Sequence, residues 1–241
     1  MEILEKIQVL HAENGIAGFI YEPLIQGAAA MKFHDAEGLN EILKFCRKEH
    51  ILMVADEVMT GFGKTGKFFA SDYLSEKPDI VCLSKALTAG LLPMGITSCS
   101  QKVFEAFYSE DIAKGLFHGH TYTANPLACT AALAAIDLLH SAEMQNNIVQ
   151  IRKSNEAFAE KLKRQPKAKN VRNMGVILAF ELDVEMERYG NLRNKLFRFF
   201  MDRGVALRPL GNTIYIVPPY VISQEDLQYT YSVIEQVFGE F

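Results

Sequence analysis

The sequence contains no tryptophan and only four cysteines, which are scattered at Cys46, Cys82, Cys99 and Cys129. None of them lies in the close pairs that zinc sites and disulfide frameworks use. Thiols at such spacings are typical of a cytosolic protein. We therefore expect them to be reduced and mostly buried, and the protein to be cytoplasmic.

The sequence also lacks a long apolar run and an excess of positive charge. Its 241 residues are 49% hydrophobic and 22% charged, with a formal net charge of −4. No apolar stretch has the length of a transmembrane helix, and the first residues include acids, unlike a signal peptide. This balance favours neither nucleic-acid nor membrane binding. It suits one large or two modest globular domains.

Apolar runs of strand length alternate with stretches of helical periodicity in the first part of the chain. Strands are predicted at 16–23, 51–55, 79–83 and 95–99, and helices at 1–14, 36–50, 126–139 and 146–164. This alternation predicts an α/β fold with a mostly parallel sheet. After a basic stretch at 163–170, strands at 176–182, 205–208 and 213–217 and helices at 191–203 and 223–238 predict an α+β unit. We expect one domain over residues 1–150, including a linking helix, and a smaller one over residues 151–241.

Two of the predicted strands end at charged residues, the first at an acid and the second at an isolated lysine. Asp56 follows the strand at 51–55, and Lys85 follows the strand at 79–83. Ligands of open α/β sheets bind at the carboxyl ends of parallel strands, so we expect both side chains in one crevice. A carboxylate and an amine in one crevice suit pyridoxal 5′-phosphate (PLP). The lysine bonds to the cofactor's aldehyde, and the carboxylate keeps the pyridine nitrogen protonated.

Four blocks around these residues resemble a known family. They are ADEVMTGFGKTG at 55–66, PDIVCLSKALTAG at 78–90, FHGHTYTANPLAC at 117–129 and LRPLGNTIYIVPPY at 207–220. In this order they are similar to the signatures of the class III (subgroup II) PLP-dependent aminotransferases. The resemblance covers nearly the whole chain and implies the fold-type I architecture, here as part of the large sheet domain plus the C-terminal α+β domain.

The resemblance assigns cofactor roles to four residues. Lys85 would form the Schiff-base link to PLP, and we expect it to be buried at the end of its strand. Asp56 would pair with the pyridine nitrogen, and Val58 would pack against the ring. The residue that matches Thr121 in the family reaches the phosphate of the neighbouring subunit's cofactor, which implies a homodimer with shared active sites.

The fourth block is narrower and resembles the biotin-pathway branch of the family. Arg208 would then bind the carboxylate of a long keto acid, and Tyr215 would contact the same substrate. Glu22, in a turn similar to the family's EPxxxG turn, is a candidate for the substrate side of the crevice. The acceptor implied is 7-keto-8-aminopelargonate, which becomes 7,8-diaminopelargonate, and the amino donor is S-adenosylmethionine or lysine.

Part of the family's site has no counterpart in this sequence. The Gly-Ser turn that holds the cofactor phosphate and the aromatic side chain that stacks on the pyridine ring normally lie upstream. The chain therefore resembles the C-terminal part of an aminotransferase, and we expect residues 1–241 alone to be inactive and to hold PLP poorly.

Two other sequence features suggest other functions. GFGKTGK at 61–67 approaches a nucleotide-binding loop, but Phe68 stands where magnesium binding needs Ser or Thr. His118 and His120 have no third ligand nearby, so no metal site is expected. An aminotransferase for another ω-amino acid or ornithine-type substrate remains an alternative, as does a fragment that has kept the fold without the cofactor.

Overall fold

The computed structural model of the protein describes residues 2–185 and 190–241. The helices are α1 (Glu2–Asn14), α2 (Ala36–Lys48), α3 (Gln101–Phe107), α4 (Pro126–His140), α5 (Ala142–Leu162), α6 (Leu192–Met201) and α7 (Gln224–Glu240). The strands are β1 (Gly18–Tyr21), β2 (Ile25–Gln26), β3 (Lys32–Phe33), β4 (Leu52–Asp56), β5 (Ile80–Leu83), β6 (Ile96–Cys99), β7 (Ala168–Met174), β8 (Ile177–Leu182) and β9 (Thr213–Ile216). Met1, the first residue of the predicted helix 1–14, lies outside the described residues.

The chain divides into two compact units. The first contains residues 1–25, 34–62 and 68–139, and the second contains residues 26–33, 63–67 and 140–241. The division between residues 139 and 140 falls before the last residue of α4, whereas the sequence-based boundary after residue 150 falls within α5. The assignment of domains to 1–150 and 151–241 stays a prediction.

The first unit is built on a four-stranded sheet in the order β1-β4-β5-β6. Neighbouring β1, β4 and β5 are parallel, and β6 returns antiparallel beside β5. Met53 and Ala55 of β4 are buried, as are Leu43 and Cys46 of α2. The predicted α/β fold with a mostly parallel sheet is confirmed. Because the parallel strands end together, the residues that follow them lie along one edge.

An ion pair joins α2 to this sheet. Arg47 Nη1, in the last turn of α2, lies 2.9 Å from Asp79 Oδ1. The other carboxylate oxygen of Asp79 accepts a hydrogen bond from the Met53 amide at 2.9 Å. Asp79 therefore uses both oxygens to fix the start of β5 against α2 and β4. Burial of this carboxylate is acceptable because it is paired.

The second unit contains a three-stranded antiparallel sheet in the order β7-β8-β9. The central strand β8 is nearly all buried, with Phe180 and Leu182 at its core. Asn155 of α5 is fully buried, donating to the Val176 carbonyl and accepting from the Tyr231 hydroxyl of α7 at 2.6 Å. Without these bonds, the packing of the two helices on the sheet would leave buried polar groups without hydrogen-bond partners.

Part of this unit differs from the sequence prediction. The predicted strand at 205–208 is wrong: this segment is irregular, and the Val205 amide is already bonded to the Phe200 carbonyl at 3.0 Å as it leaves α6. Strand β7 was not predicted because AKNVRNM is polar and lacks a clear apolar alternation. Its pairing with β8 makes it an edge strand, for which such polarity is usual.

The cysteines differ in their exposure to solvent. Only Cys46 is buried; Cys82 and Cys129 are half-buried and Cys99 is exposed, so the prediction of mostly buried cysteines is wrong. Over the described residues, no single helix has the length and apolarity to cross a membrane. Helices α4 and α5 taken together have sufficient length and composition, but they meet at a bend of 68°.

Candidate active site

Asp56 is the last residue of β4 and lies at the carboxyl edge of the sheet, with its Cα opposite Cys82 of β5. Its side chain is half-buried. Oδ1 accepts a hydrogen bond from the Val58 amide at 3.0 Å, which fixes the orientation of the carboxylate. Across the described part of the chain, Oδ2 has no hydrogen-bond donor. The structure therefore presents a carboxylate with one oxygen held and one available to an N–H group.

The neighbouring Glu57 has a different environment, which the sequence analysis did not foresee. It is fully buried. Its Oε2 accepts from the Thr60 hydroxyl at 2.6 Å and the Ala70 amide at 3.1 Å. Its Oε1 accepts from the amide and the hydroxyl of Ser71, each at 2.7 Å. Glu57 therefore anchors the turn that follows Asp56. The hydroxyl residues at 60 and 71 are a sequence signal for this role, but only the fold brings them to the carboxylate.

Lys85 begins a short 3₁₀ helix, Lys85–Thr88, in the loop between β5 and β6. Its backbone has a left-handed conformation, with φ of 44°. The residue is exposed in this chain, so the prediction of a buried lysine is wrong. Lys85 therefore lies in the loop and not in the strand, which ends at the apolar residue Leu83.

Glu22 joins these two residues at the same edge. It follows β1, whose last residue Tyr21 lies opposite Ala55 of β4. Glu22 is half-buried. Three neighbouring parallel strands therefore bring Glu22, Asp56 and Lys85 to one edge of the sheet, as the strand-end pattern predicts. Val58, also half-buried, lies two residues beyond Asp56.

Thr121 lies in an irregular segment before α4. All residues from 104 to 124 are exposed, among them large apolar side chains such as Ile112 and Phe117, at 78% and 79% exposure. His120 Nδ1 accepts from the Tyr122 amide at 3.0 Å. Within the described ranges, no three His, Cys, Asp or Glu side chains converge as metal ligands.

Arg208 and Tyr215 belong to the second unit. Arg208 is exposed in the irregular segment before β9, and Tyr215 is a half-buried residue of β9 opposite Ala179. A backbone bridge between Leu210 and Thr213 closes the turn that separates them. Arg208 thus lies beside the start of the strand that carries Tyr215.

The glycine-rich turn at 63–67 packs against the second unit's own sheet. The Lys64 carbonyl accepts from the Val176 amide at 3.0 Å. A Cβ on Gly175, whose φ is 58°, would lie only 2.4 Å from that carbonyl oxygen. The turn's backbone is therefore occupied by protein contacts, and it does not form a phosphate-binding loop.

The side chain of Lys64 has an unusual setting that the sequence analysis also missed. Its amine lies 4.2 Å from the centroid of the Tyr220 ring, a cation–π contact. Burial lowers the pKa of Lys64 to about 8 and raises the pKa of the Tyr220 hydroxyl. This lysine belongs to the second unit, whereas Asp56 belongs to the first.

Comparison with known proteins assigns the family. The family described as Aminotransferase class-III matches residues 1–238. The chain belongs to the class-III aminotransferase family. Its fold is that of PLP-dependent aminotransferases: an (S)-enantioselective ω-transaminase from Thermomicrobium roseum superimposes with a TM-score of 0.90 at 27% identity, over 99% of this chain and 55% of that one.

Several of the similar proteins share a more particular name. An adenosylmethionine-8-amino-7-oxononanoate aminotransferase from Synechococcus elongatus is 37% identical over 231 residues, 95% of this chain and 54% of the relative. The Helicobacter pylori protein of that name is 31% identical over 100% of this chain and 56% of its own. The structure of the Methanocaldococcus jannaschii protein matches with a TM-score of 0.87 at 31% identity, over 98% of this chain and 58% of that one. The chain spans about half the length of the curated relatives it matches.

Proposed function

We propose that this chain supplies the lysine and the aspartate of a PLP-dependent aminotransferase active site. The observation that carries the proposal is that Asp56 ends β4 and Lys85 follows the neighbouring parallel strand β5, at the same edge of the sheet. Membership of the class-III family supports it.

The residues at this edge fit the cofactor. The Asp56 carboxylate has one oxygen fixed by the Val58 amide and the other without a donor among the described residues, as a partner for a pyridine N–H requires. The Lys85 amine is exposed and can reach an aldehyde. Val58 would pack against the ring, and Thr121 would bind phosphate. PLP, when bound, supplies a protonated ring that accepts the electron pair released from a substrate Cα.

The protein's own residues would then hold charge and move protons. Asp56 keeps the ring nitrogen protonated, because a nearby carboxylate favours the charged form of that nitrogen. Lys85 takes the proton from the substrate Cα and returns it, acting as general base and then as general acid. Glu57 does not take part in proton transfer, since its oxygens are occupied by four donors.

The proposed amino acceptor is 8-amino-7-oxononanoate, also called 7-keto-8-aminopelargonate, which is converted to 7,8-diaminopelargonate. The proposed donor is S-adenosylmethionine, with lysine as the alternative. The names of the relatives support this choice. Arg208 would bind the distal carboxylate of the acceptor through its planar guanidinium. Tyr215 and Glu22 would line the substrate site.

We further propose that the protein acts as a cytoplasmic homodimer. Thr121 would serve the partner subunit's cofactor. The exposed apolar side chains of residues 104–124 support an interface, because soluble proteins rarely leave a large contiguous apolar surface in water.

The test is an assay of the complete gene product loaded with PLP. It should form diaminopelargonate from the keto acid and S-adenosylmethionine or lysine. Arg208→Ala should raise the KM for the keto acid by about thirtyfold or more, the loss of a charge-assisted contact, without changing the absorbance of bound PLP. Unchanged kinetics in this variant would remove Arg208 from the substrate site.

A second candidate is an ω-amino acid transaminase, favoured by the close superposition on the Thermomicrobium roseum enzyme. The same assay with pyruvate and an ω-amine separates the two. Turnover of these substrates, with none of the keto acid, would select the second candidate.

A further inference from the structure

The loop between β5 and β6 holds Lys85 in a conformation that most residues avoid. A left-handed backbone brings the Cβ of a non-glycine residue close to the following carbonyl oxygen, so it persists only where the surroundings enforce it. Lys85 has φ of 44°, and Ala89, on the same loop, has φ of 52°. The antiparallel pair of Leu83 and Ile96 forms the base of this loop.

Two hydroxyl groups in the first part of the loop, after β5, donate hydrogen bonds to carbonyl groups in its last part, before β6. Ser84 Oγ donates to the Met94 carbonyl at 2.6 Å. Thr88 Oγ1 donates to the Leu92 carbonyl at 2.5 Å. These bonds lie on either side of Lys85 in the sequence, and the Leu91 amide adds a bond to the Thr88 carbonyl at 3.0 Å. The backbone of Lys85 is therefore confined between two crosslinks.

Thr88 is the more deeply buried of the two hydroxyl residues. It is 2% exposed, whereas Ser84 is half-buried. A buried hydroxyl without an acceptor is unfavourable, so the bond to Leu92 fixes both the side chain and the fold of the loop. Its methyl group faces the same buried surroundings, which makes valine a close replacement in shape.

We infer that Thr88 is a positioning residue for Lys85: its buried hydroxyl keeps the loop closed and the lysine backbone in the left-handed conformation from which the amine captures the cofactor. This inference rests on the proposed function. In the capture step, the neutral amine of Lys85 adds to the aldehyde carbon, a C=N bond forms and one water leaves. Thr88 touches neither reactant and acts through the backbone.

The experiment compares Thr88→Val, which removes only the hydroxyl, with Thr88→Ser, which keeps it. Thr130→Val is the matched control, because the Thr130 hydroxyl also donates to a carbonyl four residues away, that of Pro126, at 2.8 Å. The cofactor-free complete protein is mixed with PLP at a temperature at which circular dichroism shows every variant folded. Borohydride-trapped phosphopyridoxyl-Lys85 is measured against time, and hydrogen exchange is measured in the peptide covering residues 84–95.

Thr88→Val should slow the capture by about two- to tenfold, the range for one intramolecular hydrogen bond, and should speed exchange in the loop. Thr88→Ser and Thr130→Val should stay within about twofold of the unchanged protein. Capture at the unchanged rate in Thr88→Val, or equal slowing in Thr88→Ser, would overturn the inference and leave the proposed function standing. Absence of any label on Lys85 in the unchanged protein would overturn both.

Discussion

The two adjacent acids at the end of β4 show how single residues divide the tasks of a site. Asp56 keeps an oxygen available at the edge of the sheet, whereas Glu57 is fully buried and accepts four hydrogen bonds. The sequence places both acids at the end of a strand, and the family resemblance selects Asp56. The resemblance does not reveal the anchoring role of Glu57, because its donors Ala70 and Ser71 follow it by 13 and 14 residues and only the fold brings them to the carboxylate.

Replacement of Glu57 by alanine should therefore destabilise the first unit strongly. It leaves two hydroxyls and two amides without their acceptor, at an expected cost of about 3–5 kcal/mol in the free energy of unfolding. Urea unfolding followed by circular dichroism measures this cost. Glu156→Ala is the control, since that exposed glutamate makes only a surface ion pair with Arg152 among the residues that the structure describes, and its loss should cost about 0.5 kcal/mol or less. Equal midpoints for the two variants would disprove the anchoring role.

The buried amine of Lys64 should make the free energy of unfolding depend on pH. Its pKa is lowered from 10.5 to about 8 by burial. Between these two values the unfolded chain binds more protons than the folded chain, so the contribution of Lys64 to the free energy of unfolding rises with pH through that window. Below it, burial of the charged amine costs about 3 kcal/mol, part of which the Tyr220 ring offsets.

Lys64→Met should remove this pH dependence. The unfolding free energy of the variant relative to the unchanged protein should be most favourable near pH 7 and should fall as the pH approaches 9.5. Lys153→Met, at an exposed site of α5, should show a constant difference over the same range. A constant difference for Lys64→Met as well would mean that this amine is not desolvated in the folded protein.

At the scale of elements, the sequence predicted the strands that carry the site better than those of the second unit. The apolar runs that became β4 and β5 lie in a parallel sheet, where Met53, Ala55 and Leu83 are buried and the other residues of the two strands are half-buried, which makes their signal strong. Strand β7 is a polar edge strand defined by its partner β8, so its sequence carries little of the signal. The apolar pattern at 205–208 predicts a strand, but the chain turns there at the end of α6, and that turn depends on tertiary structure.

The β7–β8 turn offers a direct test of how the glycine-rich segment is held. Gly175→Ala should cost at least about 3 kcal/mol, because it combines a left-handed residue with a Cβ only 2.4 Å from the Lys64 carbonyl oxygen. Gly204→Ala has a similar φ of 72° but no atom within 4 Å of the new Cβ, so it should cost about 1 kcal/mol. Thermal unfolding of both variants measures the difference, and similar losses would show that the contact at Gly175 is not tight.

At the scale of the whole molecule, the first unit exposes an extensive apolar surface. Leu91, Tyr108, Ile112, Leu116, Phe117, Tyr122 and Leu127 are each at least 67% exposed. The sequence could not indicate this surface, because the same residues would have served equally well in a core.

The 241-residue chain should therefore self-associate when it is purified alone. Light scattering should give a mass of at least twice its 27.1 kDa, because burial of such a surface favours association. Phe117→Asp combined with Ile112→Asp should shift the mass toward that of the monomer, while Ser109→Asp, at an exposed polar site nearby, should not. A monomer in the unchanged chain would contradict the proposed interface.

The most direct test of the central claim is to find which lysine takes the cofactor. The complete gene product is incubated with PLP, reduced with borohydride, digested and analysed by mass spectrometry, with Lys85→Ala as the matched variant. We expect one phosphopyridoxyl group per chain on Lys85 and none in the variant. A stoichiometric label on Lys64 or Lys67 instead, or an undiminished label in Lys85→Ala, would contradict the assignment of the active site to the edge shared by Asp56 and Lys85.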